Sequence, residues 1–248
     1  MSIILPDWPA PNTVKAAVST RRGGLSAAAW RSLNLAYHVG DNAQSVEKNW
    51  QLLGSLLRLP AAPQLLEQVH GVDVVHAQSD GIIRCADACY SDQRAVVCTV
   101  MTADCLPILI CGRAGGEVAA VHAGWRGLAG GVVANAISQF KNRPDQLLAW
   151  LGPAISQPHF EVGEDVYRAF LANTPGWGPR QQLDACFLRT RTDRWQADIF
   201  SLARLALSAS GITAIFGGGH CTFANPELFY SYRRDGQTGR MASLIWIS

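Results

Sequence analysis

Charge is scarce in this sequence. Only 16% of its residues are Asp, Glu, Lys or Arg, and 21 basic against 19 acidic side chains leave a formal charge of +2. No run of Lys and Arg could neutralise many phosphates of a polymer, which argues against nucleic acid as a partner. Apolar runs of membrane-spanning length are missing. The segment Met1 to Pro11, with Asp7 and three prolines, lacks the basic-then-apolar layout of a secretory signal. The expectation is a soluble, cytoplasmic protein without a membrane partner. Repeats, low-complexity tracts and Pro/Gly/Ser linkers are also lacking, so one domain over residues 1–248 is the simplest organisation.

Familiar metal spacings are absent as well. The six histidines include no His-x-His pair, although a four-copper oxidase needs many imidazoles and usually such pairs. The combined signature of zinc deaminases, H-x-E followed by P-C-x-x-C, does not occur either, since no P-C-x-x-C is present. Seven cysteines (Cys85, Cys89, Cys98, Cys105, Cys111, Cys186, Cys221) are an odd number on a chain with no export signal. Reduced thiols are therefore expected, with Cys98 and Cys111 as inert core residues and Cys85 and Cys89 undecided.

What the chain does have is apolar material, 48% of its residues, enough for a substantial core. Helical periodicity appears three times. Asp41 is a suitable N-cap for a helix carrying Val46, Trp50, Leu53 and Leu57 on one stripe, a second helix is expected over Leu128 to Phe140, and a third over Asp198 to Ser210, closed by Gly211. Short β-branched runs lie between them, at Val72 to Val75, Ala95 to Val100, Ile108 to Cys111, Val118 to Val121, Ile212 to Phe216 and Ser243 to Ile247. Strands outnumber helices without regular alternation, which predicts an α+β sandwich of mixed sheets with flanking helices.

The segment Thr102 to Gly127 reads as two apolar runs around a glycine-bearing connection, the pattern of a β-hairpin. Placing Cys111 opposite Glu117 sets His122 opposite Leu106, one residue from Cys105. Strict alternation then puts Cys105 and His122 on opposite faces, and a shared site needs a bulge near Pro107. His70 in EQVHGVDVV is expected at a strand end, where side chains point into clefts. Two imidazoles and a thiolate suit Zn²⁺ and leave a fourth position open, as in catalytic sites. Spacing alone leaves other readings of the same residues: ordinary core or surface side chains, a His₂Cys copper site with Met101 as weak axial ligand, or a metal-free Cys105 nucleophile activated by His122. A purely structural zinc lacks a compelling fourth ligand. His38, His76 and His159 read as surface or loop residues, and His220 as part of a turn.

The same residues sit in blocks that closely resemble the bacterial YfiH-like family, also called the laccase-domain or multicopper polyphenol oxidase family. The blocks are STRRGGLS (Ser19 to Ser26), SLNLAYHVGD (Ser32 to Asp41), QVHG (Gln68 to Gly71), TADCLPI (Thr102 to Ile108), HAGWRG (His122 to Gly127), LGPAIS, FEVG and the terminal FYSYRRDGQTGRMASLIW. The resemblance implies one catalytic zinc on His70, Cys105 and His122, with copper binding possible in vitro. It further implies phosphorolysis of purine nucleosides (adenosine, inosine, guanosine, methylthioadenosine) by inorganic phosphate, and hydrolytic deamination of adenosine. Some members are linked to peptidoglycan precursor editing. One departure is GPAISQ at Gly152 to Gln157, where the family commonly has GPAIGP; it touches no ligand.

Three further residues are expected to serve such a site. Asp104, beside a ligand, is a candidate proton carrier or orienting group. Arg126, in a glycine-rich turn leading into a helix, and Arg21, in RRGG, are candidates for holding phosphate. Turn-stabilising and surface roles are the competing readings for all three.

Overall fold

The computed structural model describes residues 2–173 and 176–248. Two sheets organise it. A four-stranded antiparallel sheet runs in the order Ile3–Ile4, Val14–Ser19, Met241–Ile247, Val97–Thr102. A six-stranded mixed sheet has the order Ala214–Gly217, Leu147–Leu151, Leu106–Gly112, Val118–Ala123, Ala88–Ser91, Val74–His76. Val18, Val100 and Ile245 of the first sheet pack against Cys89, Leu109, Ala120 and Trp150 of the second, all buried. The opposite face of the larger sheet is covered by helices through Leu128, Val132, Ile137, Leu202 and Leu207. Its central strands are therefore covered on both sides, which is why they read as continuous apolar runs rather than alternating ones. The fold is α+β, as the irregular succession of strands and helices predicts.

The helices depart from expectation where local hydrogen bonding or glycine intervenes. Helix Ala43–Leu57 is capped by Asn42, whose side chain accepts from Ser45 N, because Asp41 is already engaged by Asn34 Nδ2 and Asn42 N. Buried on its inner face with Val46 and Leu53 is a polar residue, Asn49, which binds Leu25 N, Ser26 Oγ and Asn34 O and so anchors the 25–34 loop to the helix. The expected single helix Leu128 to Phe140 is instead two short pieces, Trp125–Gly130 and Val132–Ile137. Gly131 adopts φ +99° between them, the left-handed conformation glycine permits at least cost. The third helix, Ile199–Ala209, is capped by Asp198 and followed by Gly211 at φ +91°, as its sequence signals indicate.

The hairpin corrects the expected register by one residue. Cys111 pairs with Val118, so Pro107 faces His122 and Leu106 faces Ala123. Residues paired across antiparallel strands share a face, and so do residues two apart on one strand. Extending that alternation outward from Pro107 brings Cys105, at the strand mouth, to the side of His122, and no bulge is required. Strand limits elsewhere shift by about two residues, a common uncertainty at element ends.

Candidate metal centre

Three chain segments converge at one end of the larger sheet. Cys105 immediately precedes strand Leu106–Gly112, His122 lies near the end of its partner strand, and His70 occupies a turn before Val74–His76. His70 Nε2 stands 3.7 Å from Cys105 Sγ, and the ligating atoms of His70, Cys105 and His122 all lie within 4.8 Å of one another. Tetrahedral zinc, with nitrogen at ~2.05 Å and sulfur at ~2.3 Å, sets neighbouring ligands about 3.3–3.6 Å apart. The donors thus need little inward movement to close on an ion. Gly124 provides the space: a Cβ there would stand 2.9 Å from His70 Cδ2 and 3.1 Å from Cys105 Sγ.

Asp87, which no spacing in the sequence singles out, organises this triad. Its buried carboxylate accepts from His122 Nδ1 at 2.7 Å, from His70 N at 3.0 Å, from Gly71 N at 2.6 Å and from Val69 N at 3.2 Å. The first bond leaves His122 Nε2 available as a ligand, the familiar carboxylate–histidine–metal arrangement. The others hold the 69–71 turn, in which His70 takes φ +60°, an uncommon conformation for a side-chain-bearing residue. An acid amid the apolar residues Ala86, Ala88 and Cys89 was the available signal, since a buried carboxylate requires partners.

Electrostatics couple the three groups. Burial opposes charge on Asp87, but the His122 ring and the Gly71 and His70 N–H groups outweigh it and keep the carboxyl below its usual range. Burial likewise opposes a Cys105 thiolate, yet the His122 charge, with hydrogen bonds to His122 and His70, brings its pKa down to about 6. His122 is pushed up to about 9, Cys105 and Asp87 overcoming the cost of burial. A thiolate beside histidines, one of them oriented by a carboxylate, is a donor set suited to a soft or borderline divalent cation.

The triad opens into a cavity of about 420 Å³ whose wall includes His38, Gln68, Met101, Tyr232 and Arg240. Gln68 is fixed by two bonds to the Met101 backbone, at 2.8 Å each. Arg240 is half-buried and donates to the carbonyls of Thr238 and Gly239. Burial, offset only in part by Cys105, Asp104 and Tyr232, lowers its pKa. His38, expected at the surface with no role, is exposed but lines this cavity, with its pKa lowered by burial and by Arg240.

The other expected site residues lie elsewhere. Asp104, at φ +97°, turns its carboxylate away from the cavity wall and into the 222–233 segment, accepting from Thr222 Oγ1 (2.6 Å), Ser231 Oγ (3.0 Å) and Arg233 N (2.7 Å). Arg126 is exposed, with its guanidinium 4.3 Å from the Trp125 ring. Arg21 stacks on Tyr230 at 4.7 Å and lines a separate surface cleft. Neither arginine is among the residues lining the cavity.

Fold and site together define an α+β protein with one three-donor cluster able to hold a metal ion among the described residues, open to a cavity. Residues 15–248 match the model of the multi-copper polyphenol oxidoreductase laccase family, and the chain belongs to that family, the YfiH-like proteins. It is 49% identical to the purine nucleoside phosphorylase YfiH of Shigella flexneri over 99% of this chain and 98% of that one. A Pseudomonas aeruginosa purine nucleoside phosphorylase is also 49% identical, over 98% of both chains. The crystal structure of a Neisseria meningitidis protein superimposes with a TM-score of 0.93 at 47% identity, covering 100% of each chain. No helix among the described residues is long and apolar enough to cross a membrane.

Proposed function

We propose that the chain is a zinc-dependent purine nucleoside phosphorylase, acting as one catalytic domain on purine nucleosides and inorganic phosphate, with adenosine deamination as a second reaction. The carrying observation is that His70, Cys105 and His122 converge beside a half-buried Arg240 that lines the same cavity. The names of its relatives, purine nucleoside phosphorylases at 49% identity, support the same reading. Bound there, zinc would act as a Lewis acid toward substrate or phosphate oxygen.

The chain's own groups account for binding and orientation. Arg240, rather than Arg21 or Arg126, presents a guanidinium to phosphate inside the cavity. The exposed Tyr232 ring supplies a flat face for the purine, and His38, whose pKa is lowered by burial and by Arg240, can donate to or accept from the base. In phosphorolysis a phosphate oxygen forms the bond to ribose C1′ while the glycosidic C–N bond breaks. The electron pair leaves on the base nitrogen, which takes up a proton. Asp87 fixes the His122 tautomer, and Asp104 holds the Ser231–Arg233 turn next to Tyr232, both positioning roles.

A second reading keeps the same residues without metal, because Cys105, His122 and Asp87 stand in the order nucleophile, base and orienting carboxylate. Product analysis separates the two. Metal-replete protein offered inosine should release hypoxanthine and ribose 1-phosphate only when phosphate is present, and chelation should abolish this. Undiminished turnover after complete metal removal would favour the thiolate nucleophile.

A further inference from the structure

The cleft that holds Arg21 is a second cationic site, and it shares no lining residue with the metal cavity. It encloses about 330 Å³ between the 21–32 loop and the Pro226–Glu227 turn, with Arg21, Arg22 and Arg31 on its walls. We propose that this cleft binds a dianionic phosphoryl group, as free phosphate or as a phosphate monoester, outside the catalytic cavity.

Three guanidiniums gather here without counter-ions among the described residues. Arg84, Arg143, Arg168, Arg180, Arg194 and Arg234 each have a carboxylate partner, whereas Arg21, Arg22 and Arg31 have none among the described residues. Glu227 borders the cleft, yet Arg22 Nε binds its backbone carbonyl (2.7 Å) and not its carboxylate. Arg21 is held rigidly by the carbonyls of Arg31 (3.0 Å) and Pro226 (2.9 Å) and by the Tyr230 ring. Those bonds use only part of its donor fork, and the terminal nitrogens of Arg22 likewise make no hydrogen bond to the described residues. The Arg31 guanidinium makes no hydrogen bond to the described residues and is exposed. With Glu227 counted, the cleft retains a positive excess that a single dianion balances. Planar forks with free donors are the groups that recognise phosphoryl oxygens in pairs. The loop is preformed, since Ser32 Oγ accepts from Gly23 N and Gly24 N and donates to Arg21 O, so little ordering cost accompanies binding.

The test is calorimetric titration of the full-length Arg240→Ala protein, which lacks the cavity's own cation, with inorganic phosphate and separately with methyl phosphate. One saturable site is expected, weakened about tenfold or more by adding Arg31→Ala or Arg22→Ala and unchanged by adding Arg126→Ala. Binding of phosphate alone assigns the free ion; binding of both probes extends the site to esters, and either result supports it. Should Arg240→Ala fail to fold, the wild-type protein should give a two-site isotherm that Arg31→Glu reduces to one. Absence of saturable binding, or affinity indifferent to Arg22 and Arg31, would overturn the proposal.

Discussion

The carboxylate of Asp87 and the imidazole of His122 meet at 2.7 Å inside the protein, and the same buried acid holds both segments that carry the candidate histidine ligands. The same carboxylate caps the 69–71 turn that carries His70. Substituting Asp87→Asn removes charge and places an amide against three backbone donors. Metal affinity should fall about 10–100-fold, the usual consequence of losing an orienting carboxylate. Competition with a chromophoric chelator measures this, and an unchanged affinity would remove Asp87 from the site.

Gly124 offers a test of space. Because a Cβ there would stand 2.9 Å from His70 Cδ2 and 3.1 Å from Cys105 Sγ, Gly124→Ala should displace a ligand and lower metal content. Far-UV circular dichroism should stay native, since Gly124 has ordinary extended backbone angles that alanine adopts readily. Full metal occupancy in a folded Gly124→Ala protein would show that the triad closes differently.

Asp104 is expected to behave as a clamp. Truncation to alanine leaves Thr222 Oγ1, Ser231 Oγ and Arg233 N without their acceptor and should cost about 1–3 kcal/mol. For a chain of this size that is a loss of roughly 2–4 °C in melting temperature per kcal/mol. The milder Asp104→Asn should keep the shape of the pH–rate profile. If it erased one limb of that profile, Asp104 would be a proton carrier after all.

Glu117 predicts a pH dependence of stability away from the site. Burial opposes its charge, but Tyr90 Oη at 2.6 Å, the Lys141 and Asn142 amides and the Asn142 side chain prevail and hold its pKa below the ordinary 4.5. A carboxyl depressed on folding binds its proton more readily when unfolded, so its stabilisation is present above pH 4.5 and is lost as pH falls through the folded value. Urea unfolding should therefore show Glu117→Gln less stable than wild type at pH 7, by about 1–3 kcal/mol, with the gap narrowing below pH 4.5. A gap independent of pH would contradict this.

Much of the fold was legible because its signals are local. Asp198 and Gly211 bound a helix whose ends fall where caps belong, and the buried strands announce themselves as apolar runs. The hairpin shows what a small error does: with side chains alternating every residue, pairing Cys111 with Glu117 instead of Val118 moved Cys105 to the wrong face of the sheet. Gly131, inside the span expected as a single helix, splits it in two. The three candidate donors, which the structure brings together, could be named by chemistry and family resemblance, whereas their partners could not. Asp87 lies 35 residues from His122 and 17 from His70, and Arg240 reaches the cavity from strand-flanking residues near the other end of the chain. Such neighbours arise from sheet topology, which spacing in one sequence does not encode. Arg21 and Arg126 were chosen for nearby glycines, a turn signal that carries no information about which cleft the guanidinium faces.

The central claim is that His70, Cys105 and His122 hold one catalytic zinc. Elemental analysis of purified wild-type and Cys105→Ala proteins, read beside phosphate-dependent release of hypoxanthine from inosine, tests it most directly. The account predicts one zinc per wild-type chain, with zinc and phosphorolysis lost together in Cys105→Ala. A variant that keeps its zinc, or a wild-type protein that turns over inosine without metal, would contradict it.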